Sequence, residues 1–192
     1  MLSCPHHRPP IHVRIGTGLY RHIYDDGALS MWPEIILALV TVQRLAELVI
    51  ARRNTTALLA HGGREVGAAH YPVIVLFHAA WLLGLWIFAR GQDVNWILIA
   101  VFAVLQALRV WVLATLGPRW TTRIILMPEK PLVVGGPFQF LRHPNYLVVA
   151  LEIFVLPFAF GLIWFGLIAG AIDLAILAYR ISIEEKALSP QR

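Results

Sequence analysis

Long apolar runs dominate the chain after Met31. Three of them have roughly the 20 residues that a helix needs to cross the hydrocarbon core of a bilayer. The last is too long for one span and is interrupted near Pro157 and Gly161, which predicts a helical hairpin with a short first arm. The pattern predicts an all-α integral membrane protein with about five transmembrane helices, including this C-terminal hairpin. The runs cover approximately residues 33–51, 71–89, 96–116 and 146–181.

The composition supports the membrane class. Hydrophobic residues make up 58% of the chain and charged residues only 14%, which is more apolar surface than a soluble domain of this size can bury. The formal net charge of +5 therefore indicates loops that face anionic lipid headgroups, and we expect no nucleic-acid partner. The single cysteine, Cys4, excludes an internal disulfide, and no metal-ligand pattern predicts a metal site.

The cationic residues predict the orientation in the membrane. Loops 52–70 and 117–145 and the C-terminal tail carry most of the Lys and Arg residues, whereas Arg90 is the one cation of the opposite side after Met31. The positive-inside rule then places both loops and the C-terminus in the cytoplasm. The polar leader, 1–30, would then carry its arginines on the side opposite the cytoplasm, which conflicts with the same rule. We interpret it as a disordered leader or a mis-called start.

The remaining chain is predicted to form one membrane domain, 31–192. Its first part, 31–116, would supply three transmembrane helices. Its second part, 117–192, would supply a cytoplasmic loop, the helical hairpin and the C-terminal helix end.

Several charged residues fall inside the predicted spans, where unpaired charge is costly. Arg44 and Glu47 can pair because they are three positions apart on one helix. One interpretation is a set of interhelical pairs that hold the bundle together. The other is a polar substrate pocket within the membrane, with Glu47, Arg109 and Glu152 as candidates.

The stretch "FLRHPNY" places its polar residues at a predicted membrane edge. Pro144 suits the first position of a helix, and a helix start there would offer free backbone N–H groups to an anion. A basic membrane anchor is the alternative interpretation. Arg180 and Glu184 share one helix face, and the hairpin brings them to the same side as His143 and Tyr146. Together they offer groups for a cofactor and an anionic substrate.

These paired motifs resemble the isoprenylcysteine carboxyl methyltransferase family. The resemblance is carried by "GGPFQFLRHPNY", the apolar hairpin and "RISIEE", over roughly residues 117–188. From Trp32 onward, "QRLAELVIARRN", "HGGREVGAAHYP" and "LGPRWTTRI" are similar to a bacterial branch associated with type III polyketide synthases. The resemblance implies an S-adenosylmethionine-dependent O-methyltransferase of the bacterial inner membrane, with its active site facing the cytoplasm.

The resemblance also implies that 31–192 is one catalytic membrane domain with a cytoplasmic cofactor-binding loop, and it implies residue roles. Arg180 would be the catalytic, substrate-side arginine. Two positions depart from the usual family residues, since Lys130 stands in place of His and Phe138 in place of Tyr. The implied cofactor-binding residues are Lys130, Pro131, Leu132, Val133, Phe138, His143, Pro144, Asn145, Tyr146 and Glu184.

The implied reaction suits these residue types. Methyl transfer is an in-line displacement that depends on positioning, and Tyr146 and Phe138 can attract a sulfonium through their rings. The acceptor would be a lipophilic molecule from the bilayer, either an alkylpyrone or phenol-type enol or an isoprenylcysteine-like carboxylate. The absence of the family's longer C-terminal tail disfavours a prenylated-protein substrate. The resemblance to the bacterial branch implies a functional link to a type III polyketide synthase. The alternatives are a nicotinamide-dependent membrane reductase and a non-enzymatic transporter or assembly protein.

Overall fold

A computed structural model describes residues 31–127, 131 and 133–188, so the interpretation of 1–30 lies outside the described residues. The helices are α1 (Trp32–Ala60), α2 (Tyr71–Phe88), α3 (Trp96–Leu116), α4 (Pro144–Ala159) and α5 (Ile163–Leu188). Two short antiparallel strands, β1 (Arg64–Val66) and β2 (Ile124–Leu126), connect the two long loops. Short 3-10 turns cover Ala68–His70, Gly117–Arg119 and Gly136–Gln139. This architecture confirms the all-α membrane class.

Three segments within the described residues are long and apolar enough to cross a membrane: Ala68–Phe88, Trp96–Arg119 and Ile163–Leu188. The helix α4 is apolar but has only 16 residues, as expected for the short arm of the hairpin. The helix α1 has 29 residues and carries charges within its apolar part. The predicted total of about five spans therefore stays a prediction for α1 and α4.

The first helix is longer than the hydropathy pattern predicts. It continues past Ala51 through a polar stretch to Ala60, because residues such as Arg52 and Leu58 also favour helix. Gly62 ends it with a φ of 84°, a backbone conformation that glycine adopts without a Cβ clash. The extra turns bring this end of α1 to the two loops that carry the candidate site.

The hydrophobic core lies at the end of the bundle near the hairpin turn. Leu85 and Phe160 are fully buried there, and they pack with apolar residues from every helix. By contrast, large apolar residues such as Ile97 and Trp164 are exposed on the outer faces. Exposed apolar groups are expected where the surrounding solvent is lipid. Because the apolar core occupies the hairpin-turn end, the polar side chains of the candidate site lie at the opposite end of the bundle.

The two arms of the hairpin approach closely because α5 has two glycines one turn apart. Gly166 lies against Phe158 of α4, and Gly170 lies against Phe154. A Cβ atom at Gly170 would come within 2.0 Å of the Phe154 ring, so a side chain at this position requires the ring to move. Small residues at helix contacts are typical of membrane bundles. The close approach places the first turn of α4 beside the last turns of α5.

A buried ion network joins α1, α3 and α4. Arg109 donates two hydrogen bonds of 2.7 Å to the carboxylate of Glu47 and one of 3.1 Å to Glu152. Arg44 bonds the same two carboxylates at 3.0 and 2.6 Å, which confirms the predicted pair with Glu47. Gln106 donates to Glu152 at 2.7 Å. Two guanidinium groups and two carboxylates cancel in charge, so α1 can carry ionised residues within an apolar bundle.

Arg109→Met should destabilise the bundle, because it leaves the carboxylates of Glu47 and Glu152 with fewer cationic partners in a low-dielectric interior. We expect a loss of about 3 kcal/mol in unfolding free energy. Thermal or denaturant unfolding of the detergent-solubilised chain measures it. The matched control is Arg52→Met, at an exposed position of the same bundle. Equal stability of the two variants would contradict the structural role of the network.

Candidate functional site

Two cavities lie side by side at the polar end of the bundle. The first, of about 350 Å³, lies under the loop that connects α3 to α4. The second, of about 280 Å³, lies deeper among the helices. They have part of their lining in common, so one group of side chains separates two compartments. The shared residues are Trp120, Thr121, Asn145, Tyr146 and Arg180.

The structure brings the sequence-predicted cofactor residues together around the first cavity. They come from the loop, the start of α4 and the end of α5, so the predicted meeting of the two motifs is present. Lys130 and Leu132 lie outside the described residues. The predicted residues that line the cavity are Pro131, Val133, Phe138, His143, Pro144, Asn145, Tyr146, Arg180 and Glu184.

Local sequence explains how α4 begins at this cavity. Pro144 occupies the first helical position, where its missing N–H costs no hydrogen bond, and His143 precedes it with a non-helical backbone of φ −129° and ψ 61°. The His143 ring stacks on the Tyr146 ring with centroids 5.4 Å apart. The first turn therefore directs an imidazole, an amide and a phenol towards one cavity.

The Tyr146 hydroxyl connects the two candidate motifs. It donates a hydrogen bond to Oε2 of Glu184 and accepts one from Nε of Arg180 at 2.9 Å. Arg180 also donates from Nη2 to the backbone carbonyl of Thr122 at 2.8 Å. Arg180 and Glu184 share one helix face, as predicted, and the phenol lies between them. The guanidinium is thereby fixed in the wall that both cavities share.

Two buried polar atoms beside the first cavity have no hydrogen-bond partner among the described residues. They are Nε2 of His143 and Oδ1 of Asn145. Oε1 of Glu185 lies 3.7 Å from Nε2 of His143, which is beyond hydrogen-bonding distance. A buried polar atom without a partner costs free energy that a ligand would recover. Both atoms are therefore candidates for contact with a bound molecule.

A basic rim surrounds the first cavity and is itself held in place. Arg119 donates to the backbone carbonyl of Pro131 at 2.6 Å, which connects the start of the loop to its middle. Arg123 forms an ion pair with Glu65 at 2.8 Å and lies over the Tyr71 ring at 4.4 Å. These contacts hold the loop over the cavity, because Glu65 and Tyr71 belong to the preceding long loop and its helix.

Sequence reasoning missed the contribution of residues 119–123 to both cavities. The available signal was the stretch "LGPRWTTRI", which combines cations, an aromatic residue and hydroxyls in a short loop. The carbonyl of Thr122 that holds Arg180 leaves no trace in the sequence, since every residue has such a group. Tertiary contact alone identifies its role.

The second cavity combines a polar floor with apolar walls. Its floor includes all three predicted pocket candidates, Glu47, Arg109 and Glu152. His78 also lines the cavity, and its Nδ1 donates to the carbonyl of Ile74 at 2.9 Å. The wall residue Leu45 is 58% exposed, so this side of the cavity reaches the lipid-facing surface of the bundle.

Comparisons with known proteins identify a family model and similar bacterial proteins that match the chain. The model of the isoprenylcysteine carboxyl methyltransferase (ICMT) family matches residues 96–190, which include α3, the loop, the hairpin and the wall between the cavities. The uncharacterized protein YpbQ of Bacillus subtilis (strain 168) is 35% identical over 80% of this chain and 95% of its own length. An uncharacterized protein of Haemophilus influenzae is 29% identical over 81% of this chain and 94% of its own length. No solved structure matches the chain significantly.

The contact between Tyr146 and Glu184 predicts coupled effects on stability. Tyr146→Phe and Glu184→Gln each weaken the same hydrogen bond, so the double variant should lose less stability than the sum of the single variants. We expect a coupling free energy of about 1 kcal/mol in a double-mutant cycle followed by thermal unfolding. A matched cycle that pairs Tyr146→Phe with the distant Glu34→Gln should be additive. Additivity in both cycles would refute the contact.

Proposed function

Because the chain belongs to the isoprenylcysteine carboxyl methyltransferase family, whose members are membrane methyltransferases, we propose that it is an S-adenosylmethionine-dependent O-methyltransferase with a lipophilic acceptor. The observation that carries this proposal is the pair of cavities with a common wall of Asn145, Tyr146 and Arg180. One compartment suits a polar cofactor and the other a molecule from the bilayer. Group transfer between two such compartments requires a shared boundary of this kind.

The residues of the first cavity fit S-adenosylmethionine. Glu184 supplies a carboxylate for a ribose hydroxyl or the ammonium group, and the unpartnered atoms of His143 and Asn145 supply further polar contacts. Apolar residues such as Ile124 suit the adenine. The rings of Phe138 and Tyr146 suit a sulfonium through cation–π attraction. When bound, the cofactor supplies an electrophilic methyl group whose bonding electrons remain on sulfur after transfer.

Arg180 is the proposed catalytic residue. It lines both cavities and is oriented by Tyr146 and Thr122, so its positive charge is in place before an acceptor binds. A guanidinium there can hold an acceptor oxyanion towards the methyl group. Its attraction must remain moderate, because the acceptor oxygen loses negative charge in the transition state. The hydrogen bonds of Arg180 to Tyr146 and to Thr122 moderate this attraction, because part of the guanidinium charge is already directed to their oxygens.

The second cavity is the proposed acceptor site, with Glu47, Arg109 and Glu152 at its polar floor. Its volume of about 280 Å³ and its lipid-facing wall support a small lipophilic acceptor. We propose an enol or phenol of the alkylpyrone type, formed by a type III polyketide synthase, over an isoprenylcysteine-like carboxylate. The carboxylate acceptor would use the same contact with Arg180 and serves as the comparison compound in acceptor assays.

We further propose that the site faces the cytoplasm from the bacterial inner membrane. The loops beside the first cavity carry the cations Arg64, Arg119 and Arg123, and such loops remain preferentially in the cytoplasm. That orientation supplies the cofactor from the cytoplasm and the acceptor from the bilayer. Family membership disfavours the reductase and transporter alternatives.

Glu184→Ala should weaken binding of S-adenosylhomocysteine at least about tenfold, because it removes the only carboxylate in the described lining of the first cavity. Calorimetric titration of the detergent-solubilised full chain measures this affinity. The control is Glu34→Ala, in the first turn of α1, which should bind as the wild type does. A folded wild type that does not bind the compound would refute the proposed function.

A further inference from the structure

Asp173 is a buried carboxyl group that the proposed reaction does not use. It lies on α5 and its side chain is 0% exposed, yet it belongs to the lining of the second cavity. Neither carboxyl oxygen has a hydrogen-bond partner among the described residues. An unpartnered carboxyl group within an apolar bundle costs several kcal/mol as an ion and still loses hydrogen bonds when neutral. Such a group indicates a missing partner.

The neighbouring basic residues do not supply that partner. Arg44 and Arg109 line the same cavity, but both bond the carboxylates of Glu47 and Glu152. Arg180 bonds Tyr146 and the backbone of Thr122. Asp173 thus lies outside the network that connects α1, α3 and α4, and no hydrogen bond or ion pair of its carboxyl group joins it to another helix among the described residues.

The position of Asp173 relates it to the wall between the cavities. It precedes Arg180 by seven residues, which is two turns along nearly the same face of α5. The two Cα atoms are therefore separated by an axial rise of about 10.5 Å. A molecule that extends from the wall into the second cavity along α5 passes from the guanidinium to the carboxyl group.

We propose that Asp173 accepts a hydrogen bond from a hydroxyl group of the methyl acceptor, and so selects acceptors that carry a second polar group away from the oxygen that is methylated. This inference rests on the proposed function, since it concerns the acceptor of that reaction. A molecule with only hydrocarbon at this depth leaves the carboxyl group unpaired and binds more weakly. A purely hydrocarbon prenyl chain therefore fits this cavity less well than a hydroxylated acceptor.

The test compares two compounds that differ in one hydroxyl group, 4-(3-hydroxypropyl)phenol and 4-propylphenol. Trp81 and Trp120 line the second cavity, so tryptophan fluorescence of the detergent-solubilised full chain reports their binding. The variants are Asp173→Ala, which removes the acceptor oxygens, and Asp173→Asn, which keeps one of them. Leu174→Ala is the matched control, because the adjacent Leu174 is 50% exposed on the outer surface of the bundle.

The measured quantity is the ratio of the affinity for the hydroxylated compound to the affinity for 4-propylphenol. We expect this ratio to be about tenfold higher in the wild type and in Leu174→Ala than in Asp173→Ala. Asp173→Asn should retain part of the preference. Thermal stability should not fall in Asp173→Ala, because the carboxyl group has no hydrogen-bond partner within the described part of the chain. An equal affinity ratio in the wild type and Asp173→Ala would overturn the proposal.

Further outcomes separate this proposal from the proposed function. If a folded wild type binds neither compound, the role of Asp173 is overturned. The role is also overturned if the wild type binds the hydroxylated compound no more tightly than Asp173→Asn does. These results do not depend on the folding of Asp173→Ala. Titration with S-adenosylhomocysteine reports on the methyltransferase separately. A wild type that binds this compound but does not distinguish the phenols retains the proposed function and refutes the selection by Asp173.

Discussion

The whole arrangement depends on pairing charge where no water is available. Arg44 and Arg109 share the carboxylates of Glu47 and Glu152 among three helices, and each ion is stabilised by the others. The network also sets the rotation of α1, α3 and α4, because misaligned helices would leave an ion unpaired in the bundle. Its cancelled charge leaves the second cavity with a polar floor but no net charge from these four groups.

The hairpin uses a different constraint to build the other half of the site. Gly166 and Gly170 permit close packing of α4 and α5, which brings Tyr146 within hydrogen-bonding distance of Arg180. The phenol then connects a cation and a carboxylate that belong to one helix face. A change in the glycine contact far from the site would therefore move the guanidinium relative to both cavities.

The sequence predicted much of the fold, because hydropathy depends on local composition. The predicted third span, 96–116, coincides with α3, and the predicted hairpin is present. The meeting of Tyr146 with Arg180 and Glu184 also followed from the hairpin, since its arms return the chain to one side. The length of the first apolar run did not predict that α1 extends to Ala60, because its last turns lie in a polar stretch that hydropathy assigns to a loop.

The rest of the candidate site arises from contacts that spacing cannot reveal. The partner of Arg109 on α1, Glu47, is 62 positions away, and their meeting depends on how the helices are rotated. Helix rotation also decides which acidic residues within the spans find hydrogen-bond partners, and Asp173 and Glu152 differ in this respect. Glu152 accepts hydrogen bonds from Arg44, Gln106 and Arg109, whereas Asp173 has no hydrogen-bond partner among the described residues and lines a cavity. In a low-dielectric interior, Glu152 therefore stabilises the bundle through its hydrogen bonds, whereas the carboxyl group of Asp173 is available to a ligand.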